Sequence, residues 1–381
     1  MWELFWDEKY KRVHDNFKQF GLKHQQSVRE CDKDILPASL WADLCASGIY
    51  EYGMDDGIVC LAAALEGLCY GIRGINGANV SLASHLSMGV SVIHNHTTGQ
   101  LREKMFSKII NQREIVAFAA AEPHGGSDAQ KLETHVVRDG DFYILNGEKW
   151  HITNAPYAGI IVTFAREAET NATVAMVLEK GWKGLNVTQL SPVGLKLCPI
   201  GKISLNNVKV PIENIIGEVG KGLDILYDGF TRERVLLPFI AAGMLRRELD
   251  EAFAHTQNRN IFNDKIGNYQ YIKYRLTEMK VAIDTIQSLG HAVLKQFFMK
   301  KNVLGMASEV KMYAANQTIN VIQHAIKIFG SYGLQEGSVG SLLTTAIGSS
   351  IAGGTEEVHR ELMYQDMYIN YYRLLKGQKY L

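Results

Sequence analysis

Prolines partition this chain more sharply than any other residue type. Of the seven, Pro123, Pro156, Pro192, Pro199 and Pro211 crowd into one central stretch, with only Pro37 before it and Pro238 after it. A proline inside a helix removes a backbone donor and clashes with the preceding turn, at a cost of about 3 kcal/mol. The centre therefore cannot be a run of long helices, while both flanks can. The pattern predicts three zones: a helical 1–114, a strand-rich 115–217 and a helical 218–381. As a fold class this is α+β, with an N-terminal helical domain, a central small β-barrel or sandwich domain and a C-terminal helical bundle.

Local patterns fill in the zones. Ile58 to Leu65 is apolar nearly all round, which suits a helix buried on several sides. The centre holds the β-like runs Phe142–Leu145, Ile160–Phe164 and Val174–Leu178, with Asp139-Gly140 and Asn146-Gly147 read as turns between strands. Near the C-terminus Ala315, Ile319, Ile322, Ile326 and Phe329 step by four and three, marking one face of a helix.

Charge and cysteine usage narrow the function classes. Forty basic residues balance forty acidic ones, so there is no electrostatic footprint for nucleic acid or an anionic membrane. The five cysteines, Cys31, Cys45, Cys60, Cys69 and Cys198, form no C-x-x-C pair, which argues against a disulfide framework or structural zinc and favours a reducing, cytoplasmic setting. The start, through Glu3, Asp7, Glu8, Lys9, Lys11 and Arg12, is too charged for a signal peptide. The apolar run Ile58–Tyr70 contains Glu66 and is too short to span a bilayer. His85, His94 and His96 lack acidic or cysteine partners at metal-ligand spacing, so no metal is expected. Gly220-Lys221-Gly222 lacks the phosphate-loop pattern and reads as a helix-entry turn.

Two strings carry a family resemblance. Ala121-Glu122-Pro123-His124-Gly125-Gly126-Ser127-Asp128 and, downstream, Leu145-Asn146-Gly147-Glu148-Lys149-Trp150-His151-Ile152-Thr153-Asn154 together resemble signatures of the acyl-CoA dehydrogenase flavoenzymes. Further fits are Arg259 with Phe262, Gln270, Ile328-Phe329-Gly330 and Gly354-Thr355. The resemblance implies a C-terminal four-helix bundle, bound FAD, an acyl-CoA or acyl carrier protein thioester as substrate, an electron acceptor such as an electron-transfer flavoprotein, and a homotetramer or homodimer. It assigns Phe118, Ala120 and Ala121 to a wall of the flavin site, with Thr153 offering a hydroxyl toward the ring. Ala121 replaces a threonine of the family pattern. His151 replaces an aromatic residue and either stacks on the ring or merely fills space. Arg259, Phe262 and Gln270 match contacts to the FAD of a neighbouring subunit, and Lys327 and Ser331 depart from the family's Gln-Ile-x-Gly-Gly run. Ser127 matches a loop near flavin and substrate, with turn chemistry as the alternative. Thr355 and Glu357 match positions lining the flavin.

One vacancy organises the chemistry. Many family members carry Glu-Gly-Thr where this chain has Gly353-Gly354-Thr355, and that glutamate takes the α-proton of the thioester. Gly353 has no side chain to do so, although its N–H can still reach the thioester oxygen. The resemblance to isovaleryl-type enzymes, whose base lies on a bundle helix just before an arginine, points to Glu233-Arg234. Glu233 is then the catalytic base and Arg234 braces the substrate channel; the plain alternative is a surface carboxylate between Arg232 and Arg234. The expected reaction is α,β-dehydrogenation to the 2-enoyl thioester, in a biosynthetic or short, branched-chain setting. A flavin oxidase or oxygenase on the same fold, and an inactive binding homologue, are the alternatives.

Overall fold

The computed structural model describes residues 7–53, 57–74 and 77–376; of the charged start, residues 1–6 lie outside them. The helices before the sheet are α1 (Glu8–Arg29), α2 (Ala38–Ala46), α3 (Ile58–Ile72), α4 (Ala78–Ala83), α5 (Ser91–His96) and α6 (Gly99–Asn111), with a π-helical segment at Ser84–Val90. The strands are β1 (Ile115–Ala119), β2 (His135–Asp139), β3 (Phe142–Thr153), β4 (Ala158–Glu167), β5 (Thr173–Glu179), β6 (Leu185–Leu190), β7 (Ile200–Pro211) and β8 (Ile215–Ile216). Then come α7 (Gly222–Asn258), the short pair β9 (Asn260–Ile261) and β10 (Asp264–Lys265), and the helices α8 (Gln270–Phe298), α9 (Leu304–Phe329), α10 (Leu342–Ile351) and α11 (Glu356–Leu375). Among the described residues no helix is long and apolar enough to cross a membrane.

These elements gather into two compact units. One takes the described residues of 33–57 and 81–233 and contains the sheet. The other takes those of 1–32, 58–80 and 234–381 and is helical.

In the first unit the strand order is β6-β7-β3-β2-β4-β5-β8, with β1 added alongside β4. This corrects the expected barrel: the path is open. The cause is a branch at β4. Its N-terminal half pairs in parallel with β1, and its C-terminal end pairs in parallel with β2, so β6 and the two-residue β8 remain at the ends. Asp139-Gly140 does open a hairpin, since Asp139 pairs with Phe142 and Gly140 has φ +59. Asn146-Gly147 does not make a turn. It lies inside β3 at a register shift, where Gly147 (φ +143) lets Thr134 approach and the Asn146 side chain takes the Asn207 N–H at 2.8 Å.

The second unit is organised around α3, nearly every residue of which is buried. Its glycines set the spacing. A Cβ added at Gly67 would lie 2.1 Å from the His14 carbonyl oxygen on α1, and one at Gly71 would lie 2.5 Å from Gly21 Cα. On the α7 side, a Cβ at Gly243 would lie 2.0 Å from the Glu66 carbonyl oxygen. Backbones this close permit no side chain. Just past α3, Arg73 turns at φ +68 and pairs with Glu248 (2.5 Å) and Glu251 (2.8 Å) of α7. Pro238 lies within α7 without ending it and packs against Gly290 of α8. On α9 the buried row is Ala307, Lys311, Ala314, Thr318, Val321, Ala325 and Ile328. Of the expected face, Ala315 and Ile322 are buried, and Ile319, Ile326 and Phe329 are partly buried against the same core. Lys311 and Thr318 are polar members of the buried side that a count of apolar residues passes over.

Replacing Gly243 by alanine overpacks this contact, which costs about 1–3 kcal/mol and lowers Tm by roughly 2–10 °C. Alanine at Gly126, which has open space around it, leaves Tm within about 1 °C. Thermal melts of the two variants check the contrast.

Candidate functional site

In the sheet unit, the two signature strings are stitched together by a buried ion pair. Glu122 and Lys149 are 6% and 0% exposed and meet at 2.6 Å. The Glu122 carboxylate also accepts the Glu133 N–H at 2.6 Å and the Thr134 N–H at 3.2 Å. Lys149 reaches the Ala120 carbonyl at 3.4 Å, and the Trp150 N–H donates to the Ala121 carbonyl at 2.9 Å. Burial pushes the Lys149 ammonium down to about 8, against the pull of Glu122. Burial alone would raise the Glu122 carboxyl, but Lys149 and the N–H donors hold it below the ordinary carboxylate value. The pair is charged at neutral pH. It fixes the strand end after β1 against the far end of β3.

The expected flavin-facing residues fall around this stitch. Phe118 is buried, its ring edge-on to Phe164 at 5.1 Å and to Phe230 at 5.9 Å. Ala120 is buried and Ala121 half-buried, just past the end of β1. His151 is exposed at a register shift of β3, with φ +55. Thr153 is half-buried beside the Cys198 thiol, whose pKa burial raises to about 12 against a lowering influence of the Thr153 side chain. Asn154, with φ +68, is locked by Ser81, whose hydroxyl donates to its side-chain oxygen at 2.7 Å while its amide donates to the Ser81 carbonyl at 2.9 Å. Ser127 is exposed on the loop beside the exposed Asp128–Lys131 pair.

α7 begins after Gly220, whose φ is +94, with the Thr173 hydroxyl accepting the Leu223 N–H at 3.1 Å. Gly220-Lys221-Gly222 is thus a helix-entry turn. Asp228 on this helix meets His96 at 2.8 Å and Arg232 at 2.7 Å. Glu233 closes the unit. It is half-buried and its Oε2 oxygen is buried. Three residues earlier on the same face, Phe230 packs on Phe118.

In the helical unit the next residue, Arg234, is 4% exposed and donates to the Gly353 carbonyl from Nε (3.3 Å) and Nη2 (3.1 Å). Lys311, 1% exposed, donates to the Gly354 carbonyl at 2.7 Å. Two buried cations from α7 and α9 therefore hold two successive carbonyls of the turn before α11. Both glycines have positive φ, +69 and +113. Because trans peptide planes oppose their C=O and N–H groups, the clamp aims the Gly354 and Thr355 N–H groups away from the cations. Thr355 caps α11, accepting the Val358 N–H at 3.5 Å. Glu357 is exposed, and hydrogen bonds from its own backbone N–H and from Thr355 hold its pKa low. Beneath the turn lies His359, fully buried.

The residues expected to meet a dinucleotide lie elsewhere in this unit. Arg259 is exposed just past α7, over the Tyr332 ring at 5.9 Å. That contact brings the corner after α7 beside the turn after α9, which Lys327 and Ser331, both exposed, flank. Phe262 is 88% exposed and Gln270, at the start of α8, is exposed. A cleft of 470 Å³ at this end takes Arg259, Arg29, Arg73, His255 and Tyr332 into its lining, but none of Phe262, Gln270, Lys327 or Ser331.

Sequence reasoning missed Lys311, His359 and the Glu122–Lys149 pair. Lys311 had a signal: it sits in step with the α9 alanines. The three histidines with possible metal roles serve other ends. His85 accepts the Val116 N–H at 3.0 Å and meets the Tyr50 hydroxyl at 3.1 Å; His94 contacts Arg102 and His96 contacts Asp228.

Comparison with known proteins adds independent findings. The acyl-CoA dehydrogenase middle-domain model matches residues 117–208, and the C-terminal-domain model matches 220–368. A short-chain-specific acyl-CoA dehydrogenase of Clostridium acetobutylicum is 30% identical over 318 residues, 81% of this chain and 83% of that protein. An L-prolyl-peptidyl-carrier-protein dehydrogenase of a Serratia strain is 27% identical over 351 residues, 89% of this chain and 91% of the relative. Among solved structures, the prolyl acyl carrier protein oxidase AnaB superposes with a TM-score of 0.87 at 25% identity, covering 95% of this chain and 99% of its own.

Glu122→Gln leaves the Lys149 ammonium buried without its carboxylate and lowers unfolding free energy by about 3–5 kcal/mol. The carboxyl is held below its unfolded value, so its contribution is complete above the ordinary carboxylate range and is lost as pH falls through the depressed value. Urea unfolding of both proteins across pH should show the gap closing on the acid side.

Proposed function

The chain belongs to the acyl-CoA dehydrogenase family, and from that premise we propose that it oxidises an acyl thioester between its α and β carbons. The product is the 2-enoyl thioester, and Glu233 is the base. The α-proton passes to the Glu233 carboxylate, the electrons of that C–H bond form the new double bond, and the β-hydrogen leaves as hydride. FAD, when bound, supplies the hydride acceptor.

The observation that carries the reading is the pairing of a vacancy with a substitute. Gly353 offers no carboxylate, and its carbonyl is held by Arg234. The residue before that arginine is a half-buried glutamate with one buried oxygen, on the α7 face whose Phe230 packs on Phe118.

The donor chemistry fits a flavin dinucleotide. Ala120 and Ala121 present small side chains and backbone groups, Thr153 a hydroxyl, and the exposed His151 ring a stacking surface. Thr355 and Glu357 at the start of α11, and Ser127 on its loop, would add polar contacts. Arg259 makes no ion pair among the described residues, and with Lys327, Ser331, Phe262 and Gln270 it would serve the cofactor's phosphates and adenosine end from an adjoining subunit of a homodimer or homotetramer.

The thioester carrier is either CoA or a carrier protein. Likeness to the Serratia carrier-protein dehydrogenase supports the latter. Electrons then pass to an acceptor such as an electron-transfer flavoprotein. A second reading, an oxidase that passes them to dioxygen, draws support from likeness to AnaB, a solved oxidase. Hydrogen peroxide formed without an added acceptor favours it.

Anaerobic bleaching of the flavin absorbance by a panel of CoA and carrier-protein thioesters tests the proposal. Glu233→Gln should retain its flavin and bleach at least about 100-fold more slowly. Bleaching at the wild-type rate would show that another group is the base.

A further inference from the structure

His359 stands apart from every other buried polar group near the glycine turn. It is 0% exposed, and neither ring nitrogen makes a well-formed hydrogen bond among the described residues. A neutral imidazole always carries one N–H, and burying such a donor without a well-formed hydrogen bond is unfavourable. A position kept at that cost calls for an explanation.

Geometry supplies one. His359 lies one turn into α11, four residues after the Thr355 cap, so its ring folds back beneath the segment that enters the helix. The polar group it faces is the Gly354 backbone. A Cβ added to Gly354 would lie 3.0 Å from the imidazole Nε2, 3.3 Å from Cε1 and 3.5 Å from Arg234 Nη2. The ring therefore fills the space on the inner side of the turn. Arg234 and Lys311 hold the two carbonyls, and the imidazole supports the backbone between them.

We propose that His359 is a positioning residue for this reaction: through Gly354 it keeps the two clamped peptide planes oriented so that their N–H groups face away from Arg234 and Lys311. The role rests on the reading that the chain oxidises an acyl thioester. Protonation chemistry agrees with it. Burial, then Lys311 on α9 and Arg234 on α7, push the imidazole pKa down to about 3. The ring thus adds no third positive charge beside two buried cations, which a lysine or arginine at this position would do.

The test uses the flavin-loaded protein and four variants: His359→Gln, His359→Ala, Gly354→Ala and the double His359→Ala/Gly354→Ala. Thermal unfolding without substrate reads the contact itself. Gly354→Ala should lower Tm by several degrees, because its methyl meets the ring and its φ of +113 is strained. Removing the ring relieves the steric part, so the double variant should lose less than the two single losses added together. Strict additivity overturns the contact.

Steady-state kinetics read the role. His359→Ala should lower kcat about tenfold with KM within about twofold, the signature of an interaction made mainly in the transition state. His359→Gln should recover most of kcat. An unchanged kcat in His359→Ala, or a loss that glutamine does not rescue, overturns positioning. The pH profile of His359→Gln should superimpose on that of the wild type; a limb present only in the wild type would show that the ring titrates at work, and the assignment would fall. Should the wild type turn over no thioester, the functional reading fails and the positioning role with it, while the melting data still report the contact.

Discussion

Two buried cations gripping two successive carbonyls are the interaction on which the entry to α11 depends. Arg234 comes from α7, Lys311 from α9, and the glycines they hold lead directly into α11. Three helices distant in sequence are thereby fixed at one point. Hydrogen bonds from charged donors are roughly twice as strong as neutral ones, and the interior gives them little competition from water. The backbone conformation they hold, two glycines at positive φ, is one that a side chain at either position would strain. Structure and sequence agree here: the place where many family members carry a glutamate is in this chain a place built for glycine.

The signature strings serve the scaffold as much as the ligand. Glu122 and Lys149 sit at the heart of the two motifs that suggest a flavin enzyme, yet their side chains face each other and the backbone N–H groups of Glu133 and Thr134. Asn154, the last residue of the second string, is tied to Ser81. The motifs are therefore partly a record of how a loop and a strand end are joined. Of the other members, His151 is exposed, and Ala121 and Thr153 are half-buried.

Much of this was legible before any coordinates. Prolines located the strands, the uniformly apolar Ile58–Leu65 became the buried α3, and Gly220-Lys221-Gly222 opened α7. What stayed hidden has physical causes. Strand closure depends on pairing partners far apart in sequence, so the branch at β4 could not be read from local pattern. Asn146-Gly147 has the chemistry of a turn and the structure uses it as a bulge, because Thr134 needs the room. Lys311 and Thr318 broke the apolar rhythm of α9 while occupying its core face. His359 gave no signal at all, since its neighbours in space are a backbone turn and two cations from other helices.

The discontinuous make-up of the helical unit has a consequence for how the protein is made. α3 emerges early, but the ion pair that secures its end, Arg73 with Glu248, closes over 175 residues. At a translation rate of about 5–20 residues per second, roughly 10–35 s separate the two residues at the ribosome over that span. During that interval α1 can shield only part of a helix that ends up buried on nearly every side, while residues 81–233 of the sheet unit are being synthesised. The nascent chain thus carries an apolar helix surface that stays uncovered until α7 has been made.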